Sequence, residues 1–264
     1  MFNEKNMKDS VSDFLKLYES RPVRPNHGGM GINHSWALWF IVSSLKPKII
    51  IESGVWRGHS TWIIEKACPV SKIYSFDLDF SKLEYRSPNA QYFENDFSEF
   101  DWSQIDVSNS LCLFDDHQNS LERAKTAKWF GFKRIIFEDN WPVGQGDSYS
   151  LKHMKEKVGM PRMQMSDNSR GSIFRRSKTA LIEYFLQLIY LNQTVIRKPN
   201  SYDFANFLKN IEFEYEVPPL YLNEKSQWGN KYTDKYKAKL PLLKQSPAPD
   251  YNYDYSFITY IELK

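Results

Sequence analysis

The segment that most constrains this chain is a glycine-containing turn that directly follows an apolar run. The run Ile49–Ile51 is succeeded at residues 52–61 by Glu-Ser-Gly-Val-Trp-Arg-Gly-His-Ser-Thr. A short apolar run followed by glycines predicts a buried strand, a tight turn and then a helix. Gly54 and Gly58 permit close backbone approach or positive φ, and the new helix offers free N–H groups. The segment predicts a nucleotide-sized pocket, and the alternative is a tight connection without a ligand.

The spacing of this motif, E-x-G-x-x-x-G, differs from the G-x-G-x-x-G of dinucleotide-binding proteins and lacks the Lys-Ser/Thr of a P-loop. Glu52 ends the first strand, where its carboxylate can accept from a cationic or hydroxylated ligand. A second apolar segment, Lys72–Asp77, also ends in a carboxylate. In doubly wound folds the residue roughly 20 positions past the glycine turn contacts ribose hydroxyls. Asp77 is predicted to fill that role, and Asp79 is the alternative.

Two later apolar segments end in clusters of polar residues. The first, from Ser110, is followed by Asp115, Asp116 and His117, and the second, from Lys133, is followed by Glu138, Asp139 and Asn140. Neighbouring parallel strands would deliver these side chains to one crevice. Oxygen ligands without cysteine suit Mg²⁺, Mn²⁺ or Ca²⁺ better than zinc. The alternative is that some of these acids cap the following helices.

These motifs carry a resemblance to known enzymes. The glycine turn resembles the first motif of class I S-adenosylmethionine-dependent methyltransferases. Asp115 with Asp139 and Asn140 resembles the metal triad of catechol O-methyltransferases, and the clusters are also similar to macrolide-sugar O-methyltransferases and the cephalosporin-hydroxylase-like family. The resemblance covers roughly residues 47–147. It departs from the catechol-type pattern because Asp115 and Asp116 are contiguous, which leaves open which of them binds metal.

The resemblance implies a fold and a set of site residues. The fold is α/β, a Rossmann-like, doubly wound, mostly parallel seven-stranded sheet with an antiparallel C-terminal strand. S-adenosylmethionine is expected to contact Glu52, Gly54, Gly58, Ser60, Thr61, Asp77 and Asp96. Asp96, which ends the segment Gln91–Asp96, would lie near the adenine amino group, or alternatively end an exposed edge strand. A divalent cation, Mg or Mn, is expected on Asp115, Asp139 and Asn140.

The same resemblance implies an activity. We expect a metal-assisted O-methyltransferase acting on a hydroxyl of a sugar, glycan or small metabolite. His117 and Asp116 are the candidate catalytic residues, with His117 as general base, although His117 could instead only cap or orient an acid. Glu138, Asp147 and Tyr149 are candidates for contacting the substrate, because loops at the carboxyl ends of strands line the crevice. The alternatives are a metal-independent methyltransferase and a non-catalytic sugar- or nucleotide-binding protein.

The rest of the chain predicts an organisation around this centre. Residues 1–46 are predicted to form a helical segment, with helices Asp9–Tyr18 and His34–Leu45, and a loop at the cofactor mouth that includes Asn26 and His27. Residues 47–264 are predicted to form the Rossmann-like domain, with a lid-like insertion near 218–255. Its remaining predicted elements are helices Ser120–Phe130 and Ala180–Val195 and strands Ile211–Val217 and Ser256–Leu263.

Composition limits the partners that we expect. The net charge is only +3, so no nucleic-acid partner is predicted. No apolar run approaches the ~20 residues that span a bilayer, so no membrane partner is predicted. Cys68 and Cys112 read as buried free thiols of a reducing compartment. We expect a cytoplasmic protein whose partner is a small-molecule or glycan acceptor, and a homo-oligomer is compatible with this composition.

Overall fold

The computed structural model describes residues 2–143, 146, 148–156, 201–222, 241–248 and 251–264. Within this part of the chain, seven strands form one sheet. They are β1 (Ile49–Ser53), β2 (Lys72–Phe76), β3 (Ala90–Phe93), β4 (Ser110–Phe114), β5 (Arg134–Phe137), β6 (Ile211–Glu216) and β7 (Thr259–Leu263). Their order across the sheet is β3-β2-β1-β4-β5-β7-β6.

The direction of the strands matches the predicted fold. β1 pairs in parallel with β2 and β4, and the parallel pairing continues to β3 on one side and β5 on the other. β7 runs antiparallel to both β5 and β6. The prediction of a mostly parallel seven-stranded sheet with an antiparallel C-terminal strand is therefore confirmed. The strand order reverses between β1 and β4, and ligands of open α/β sheets bind at the carboxyl ends of strands at such a point.

Helices cover both faces of the sheet. They are α1 (Glu4–Glu19), α2 (Ile32–Leu45), α3 (His59–Ala67), α4 (Ser120–Trp129), α5 (Leu151–Lys155) and α6 (Ser201–Asn210), with a short 3-10 helix at Phe97–Glu99. Side chains of a strand alternate between faces. Ile50 accordingly belongs to the core that contains α1, α2 and α3, whereas Ile51 belongs to the core that contains α4 and α5. All five residues of β4 are buried, as expected for a central strand with helices on both faces.

Several elements begin elsewhere than the sequence predicts. α1 begins at Glu4 because the Asn3 side chain caps it by accepting from the backbone N–H of Asn6. β7 begins only at Thr259, and Phe257 just before it has a φ of +64°, which is incompatible with extended strand geometry. The predicted helix Ala180–Val195 lies outside the described residues.

The N-terminal helices share one core with the sheet. Phe14 of α1 and Trp36 of α2 are fully buried and belong to the same cluster as Ile50 of β1. Cys68 and Cys112 are buried free thiols, as predicted. Among the described helices, none combines the length and the apolar character needed to cross a bilayer.

Candidate active site

The two glycines of the turn after β1 are required by close backbone approach within the protein. Gly54 has a φ of +91°, and a Cβ there would lie 2.2 Å from the carbonyl oxygen of Asp115. Gly58 has a φ of +85°, and a Cβ there would lie 2.3 Å from the carbonyl oxygen of Tyr85. Both values are far inside van der Waals contact. The glycines thus bring the turn directly against the residue that follows β4, which joins the two predicted halves of the site.

Glu52 is the most unusual polar residue of the turn. Its side chain is fully buried, and its Oε2 accepts hydrogen bonds from Thr61 Oγ1 at 2.8 Å and Ser75 Oγ at 2.6 Å. Its Oε1 is buried without a hydrogen-bond partner among the described residues. Burial raises the pKa of Glu52, and hydroxyl hydrogen bonds oppose this only in part. A buried, unpaired carboxyl oxygen is costly, and a cationic group bound beside it would offset that cost.

The start of α3 lies immediately after this turn. Gly58 occupies the N-cap position, and no side chain caps the helix. Ser60 and Thr61, predicted to contact the cofactor, are buried in the first turn of α3. Thr61 contacts Glu52 directly. The N-terminus of α3 therefore offers backbone donors and a favourable dipole next to a buried carboxyl group.

Asp77, the predicted ribose ligand, contacts the turn itself. Its Oδ2 accepts from the backbone N–H groups of Val55 at 2.8 Å and Trp56 at 2.9 Å. Its Oδ1 accepts from the backbone N–H of Asp79 at 3.2 Å. The alternative residue, Asp79, turns to Ser81. Asp77 is thus the acid that lies against the glycine turn, where it fixes the turn's backbone.

The loop before α2 contacts the turn, and its role at a cofactor mouth stays a prediction. The indole Nε1 of Trp56 donates to the carbonyl oxygen of His27 at 3.4 Å. Arg57 donates to the carbonyl oxygen of Pro25 and to Glu84. Trp56 itself has a φ of +51° and is 41% exposed. A strained, exposed aromatic residue in a turn is an arrangement that often accompanies function.

The acids after β4 and β5 do lie at one sheet edge. The pKa of Asp115 is raised well above its usual range by burial and by the nearby charges of Glu138 and Asp139. His117 Nδ1 lies 3.3 Å from Asp139 Oδ2, and the His117 side chain is 55% exposed. Hydrogen bonds that include those of His117 and Ser256 lower the pKa of Asp139 despite its burial. An ionised Asp139 can therefore orient an accessible imidazole.

Glu138 is engaged by a histidine that the sequence did not single out. Its Oε1 contacts His34 Nδ1, and both side chains are buried. The backbone N–H of Ser256 donates to His34 Nε2 at 2.9 Å, so Nε2 carries no proton and Nδ1 donates to Glu138. Burial lowers the pKa of His34, which keeps the ring neutral. This network ties α2 and the segment before β7 to the end of β5.

Asn140 and Tyr149 serve packing in this conformation. Asn140 Nδ2 donates to Thr259 Oγ1 at 2.8 Å, and its Oδ1 accepts from the backbone N–H of Lys152 at 3.1 Å. Tyr149 is 2% exposed and packs in the core beside His153. Their roles as metal ligand and substrate contact stay predictions. Asp147, the other predicted substrate residue, lies outside the described residues.

Asp96 and Asp116 are joined by an arginine. Arg123 of α4 pairs with both oxygens of Asp96 and with Asp116 Oδ2. Asp116 Oδ2 also accepts from Ser53 Oγ at 2.6 Å. Of the two contiguous acids, Asp116 thus has a cationic partner, whereas no Lys or Arg forms a salt bridge with Asp115 in the part of the chain that the structure describes. This difference favours Asp115 over Asp116 as the acid available to a cation.

The structure brings most of the predicted residues to one edge of the sheet. No group of three or more His, Cys, Asp or Glu side chains is arranged to hold a metal ion in the described part of the chain. The sequence did not indicate several of the contacting residues, among them Arg123, His34, Ser53 and Ser75. Arginine and serine are common in surface helices and strands, so the sequence holds no signal for them. His34 was visible only as the start of a predicted helix.

The fold defines the class of the protein: a doubly wound α/β protein whose strand order reverses between the paired strands β1 and β4. The chain is similar to a structure of CmcI with Mg and SAM (18% identity, TM-score 0.35, 47% of this chain and 65% of that chain). It is similar to a methyltransferase from Geobacter sulfurreducens (13%, 0.34, 49% and 72%). It is also similar to the SAH-bound Podospora anserina methyltransferase PaMTH1 (13%, 0.43, 100% and 97%).

The chain thus spans about two thirds of the length of the CmcI structure. No family model matches the sequence, and no curated protein matches it. With identities and TM-scores this low, the residues of the sheet edge are the basis for assigning a function.

Proposed function

We propose that this protein is an S-adenosylmethionine-dependent O-methyltransferase acting on a hydroxyl group of a sugar, glycan or small metabolite. The observation that carries the proposal is the buried, unpaired Oε1 of Glu52 at the uncapped start of α3. The carboxyl group can accept hydrogen bonds from a cationic group, and the backbone N–H groups at the start of the helix can donate to an anion. An amino acid moiety carries both charges on one carbon atom. Glu52 and α3 therefore suit the methionine end of the donor.

The donor supplies an electrophilic methyl group on a sulfonium when it is bound. The protein's contribution is to hold the donor and acceptor in line and to accept the acceptor's proton. Asp77 holds the turn through Val55 and Trp56, which fixes the shape of the donor crevice. We assign the ribose contact to the same carboxylate, whose Oδ1 makes only a long 3.2 Å bond to Asp79.

His117 is the best candidate for the base. Its ring is accessible and lies 3.3 Å from Asp139, in the arrangement of a base and its orienting acid. It follows β4 by three residues, and the backbone of Asp115 touches the donor turn at Gly54. The base therefore stands beside the crevice that would hold the donor. A hydroxyl group placed between them would lose its proton to the imidazole as its oxygen bonds to the methyl carbon, and the bond from that carbon to the sulfonium sulfur would break to leave S-adenosylhomocysteine.

We further propose that a divalent metal ion assists the reaction. The carboxylate oxygens of Asp115 and Asp139 suit a hard cation, because a cation there would compensate the negative charges that raise the pKa of Asp115. A bound Mg or Mn would lower the pKa of an acceptor hydroxyl. Asn140 fits less well, since its Oδ1 already accepts from Lys152. The His117–Asp139 pair supports the second candidate function, methyl transfer without a metal.

The first experiment tests the donor site by calorimetry with S-adenosylhomocysteine. The wild-type protein should bind it with a micromolar dissociation constant, about −8 kcal/mol. Glu52→Gln keeps an oxygen for Thr61 and Ser75 but loses the charge, and it should weaken binding by about 2 kcal/mol. Glu65→Gln, which removes a carboxylate of α3 that contacts Tyr85, is the matched control and should bind normally.

Two outcomes of that experiment count against the proposal. A wild-type protein that does not bind S-adenosylhomocysteine would contradict the donor assignment altogether. Equal binding by Glu52→Gln and wild type would show that the amino group of the ligand does not bind at Glu52.

The second experiment tests the metal. Transfer of labelled methyl groups to a panel of catechols, sugars and nucleotide sugars is measured with EDTA and after addition of Mg²⁺ or Mn²⁺. Loss and recovery of activity, together with an inactive Asp139→Asn variant that still binds donor, would support the cation. Undiminished turnover in EDTA would leave the metal-independent reaction, and the His117→Gln variant should then be the inactive one.

A further inference from the structure

Arg123 occupies a position that the proposed chemistry does not use but that touches both sides of the crevice. Its Nη1 and Nη2 donate to Asp96 Oδ1 and Oδ2 at 2.9 and 2.5 Å, and Nη2 also lies 2.8 Å from Asp116 Oδ2. The Arg123 side chain is 13% exposed. Its guanidinium lies 5.1 Å from the ring centre of Phe97 and 5.9 Å from that of Phe114. A largely buried guanidinium that is held by two acids and lies beside two aromatic rings has little freedom.

Each of these two acids also forms hydrogen bonds with the loop that contains it, and the two loops follow different strands. Asp96 follows β3 and caps the 3-10 helix, accepting from the backbone N–H of Ser98 at 2.9 Å. Asp116 follows β4 and accepts from Ser53 Oγ, at the end of β1, and from the backbone N–H of Gln118. One guanidinium therefore fixes the ends of β1, β3 and β4 relative to one another. The ends of β1 and β4 flank the strand-order reversal where the donor is expected, and β3 lies at the edge of the same half of the sheet.

We propose that Arg123 is a positioning residue of the donor crevice, which locks the Asp96 loop and the Asp115–His117 segment in one arrangement. This inference rests on the proposed function. It also assigns Asp116 a positioning role, because both the arginine and Ser53 bind its Oδ2. Burial opposes ionisation of Asp96, yet hydrogen bonds from Arg123 and Ser98 bring its pKa down to about 2. The Asp96–Arg123 pair is therefore charged at neutral pH.

The geometry predicts that lysine cannot replace this arginine. A guanidinium presents a planar fork that pairs with both oxygens of one carboxylate and still reaches a second acid, whereas an ammonium group is a single point charge. Arg123→Lys therefore keeps the charge of α4 but loses the simultaneous contact with Asp96 and Asp116. A loss of function in this variant would separate positioning from simple charge compensation.

The test compares S-adenosylhomocysteine binding by calorimetry in the wild type, Arg123→Lys, Arg123→Gln and Lys125→Gln. Lys125 lies on the same helix in an exposed pair with Glu122 at 3.5 Å, so Lys125→Gln removes the same charge as Arg123→Gln without touching the crevice. We expect both Arg123 variants to bind about tenfold more weakly per folded molecule, a change of about 1.4 kcal/mol, and Lys125→Gln to bind like wild type. Thermal unfolding shows which variants are folded.

A double-mutant cycle makes the test specific. If Arg123 acts through Asp116, Asp116→Asn should weaken binding in the wild type and add little in the Arg123→Lys background. Additive effects would remove the proposed coupling. Should Arg123→Gln fail to fold, Arg123→Lys and Asp116→Asn still decide the matter. Normal affinity in a folded Arg123→Lys overturns the inference while leaving the donor site intact, whereas a wild type without binding overturns the proposed function as well.

Discussion

Replacing Gly54 by alanine should separate the two demands that the turn places on this position. At a φ of +91° any L-residue is strained, and the new Cβ would also lie 2.2 Å from the backbone oxygen of Asp115. Gly131 shares the first demand but not the second. Its φ is +89°, and a Cβ there would meet only a methyl group of Val107, at 3.3 Å, and no backbone atom. The pair Gly54→Ala and Gly131→Ala therefore isolates the cost of the close approach.

The expected magnitudes follow from these contacts. Left-handed backbone costs an L-residue about 1 to 2 kcal/mol, so Gly131→Ala should lower the free energy of unfolding by about that amount. Gly54→Ala must in addition move a backbone segment of β1 or β4 by about 1 Å to reach ordinary contact. Forced overpacking of this kind typically costs ~1 to 3 kcal/mol. Gly54→Ala should therefore lose about 2 to 5 kcal/mol, within the stability of an ordinary domain.

Urea denaturation followed by circular dichroism gives the free energy of unfolding of each variant, and calorimetry gives its affinity for S-adenosylhomocysteine. Gly54→Ala should bind much more weakly, because the displaced turn carries Val55 and Trp56. Gly131→Ala, at the far end of α4, should bind normally. If Gly54→Ala proved no less stable than Gly131→Ala, the close contact between β1 and β4 would not exist as described. If it were less stable but bound normally, the donor would not lie on this turn.

Three further predictions concern pH and buried polar groups. His59 is 2% exposed, and burial lowers its pKa to about 4. Since the unfolded chain binds the proton at a higher pH than the folded chain, the free energy of unfolding should fall by about 3 kcal/mol as the pH drops from about 6.5 to 4. The urea midpoint of His59→Gln should fall less over the same pH range. The pKa of Asp96 is lowered to about 2, so its contribution of about 2 kcal/mol to stability is present above pH ~4 and is lost as the pH falls towards 2. Asp96→Asn should accordingly be less stable than the wild type at pH 7 and nearly as stable at pH 2. A stability difference that does not change with pH would contradict this prediction. Asn33 is fully buried, donates to the carbonyl oxygens of Tyr221 and Tyr253 and accepts from the N–H of Leu220. Asn33→Ala should lower the free energy of unfolding by on the order of 3 kcal/mol. A urea midpoint close to that of the wild type would show that water replaces these hydrogen bonds.

The sheet could be predicted because its signals are local. A buried parallel strand is typically a continuous apolar run, and β1, β4 and β5 each have one that ends at a polar residue, whereas the run of β2 is interrupted by Ser75. The strand order follows from the expected fold. The limits of β7 could not be predicted, because Ser256–Ile258 is as apolar as the strand itself and only the backbone at Phe257 separates them.

The residues at this sheet edge could be predicted from the sequence, but the contacts between them could not. Asp115 and Asp116 are indistinguishable in sequence, and they differ because one faces the charges of Glu138 and Asp139 while the other reaches Arg123. Arg123 lies eight residues after Asp115 on a separate helix, and His34 lies 104 residues before Glu138. Contacts over such separations depend on packing of the whole fold. No local pattern encodes them.

The position of β7 between β5 and β6 has a consequence for synthesis of the chain. β6 leaves the ribosome before β7, yet in the described sheet it pairs only with β7. Until β7 emerges, the outer edge of β5, with the apolar residues Ile135, Ile136 and Phe137, has no neighbour. Exposed apolar edges of this kind recruit other chains. The growing polypeptide should therefore depend on chaperone protection through the whole interval between Phe137 and Thr259, and variants that slow this late pairing should appear as aggregates in cells while their purified native state looks normal.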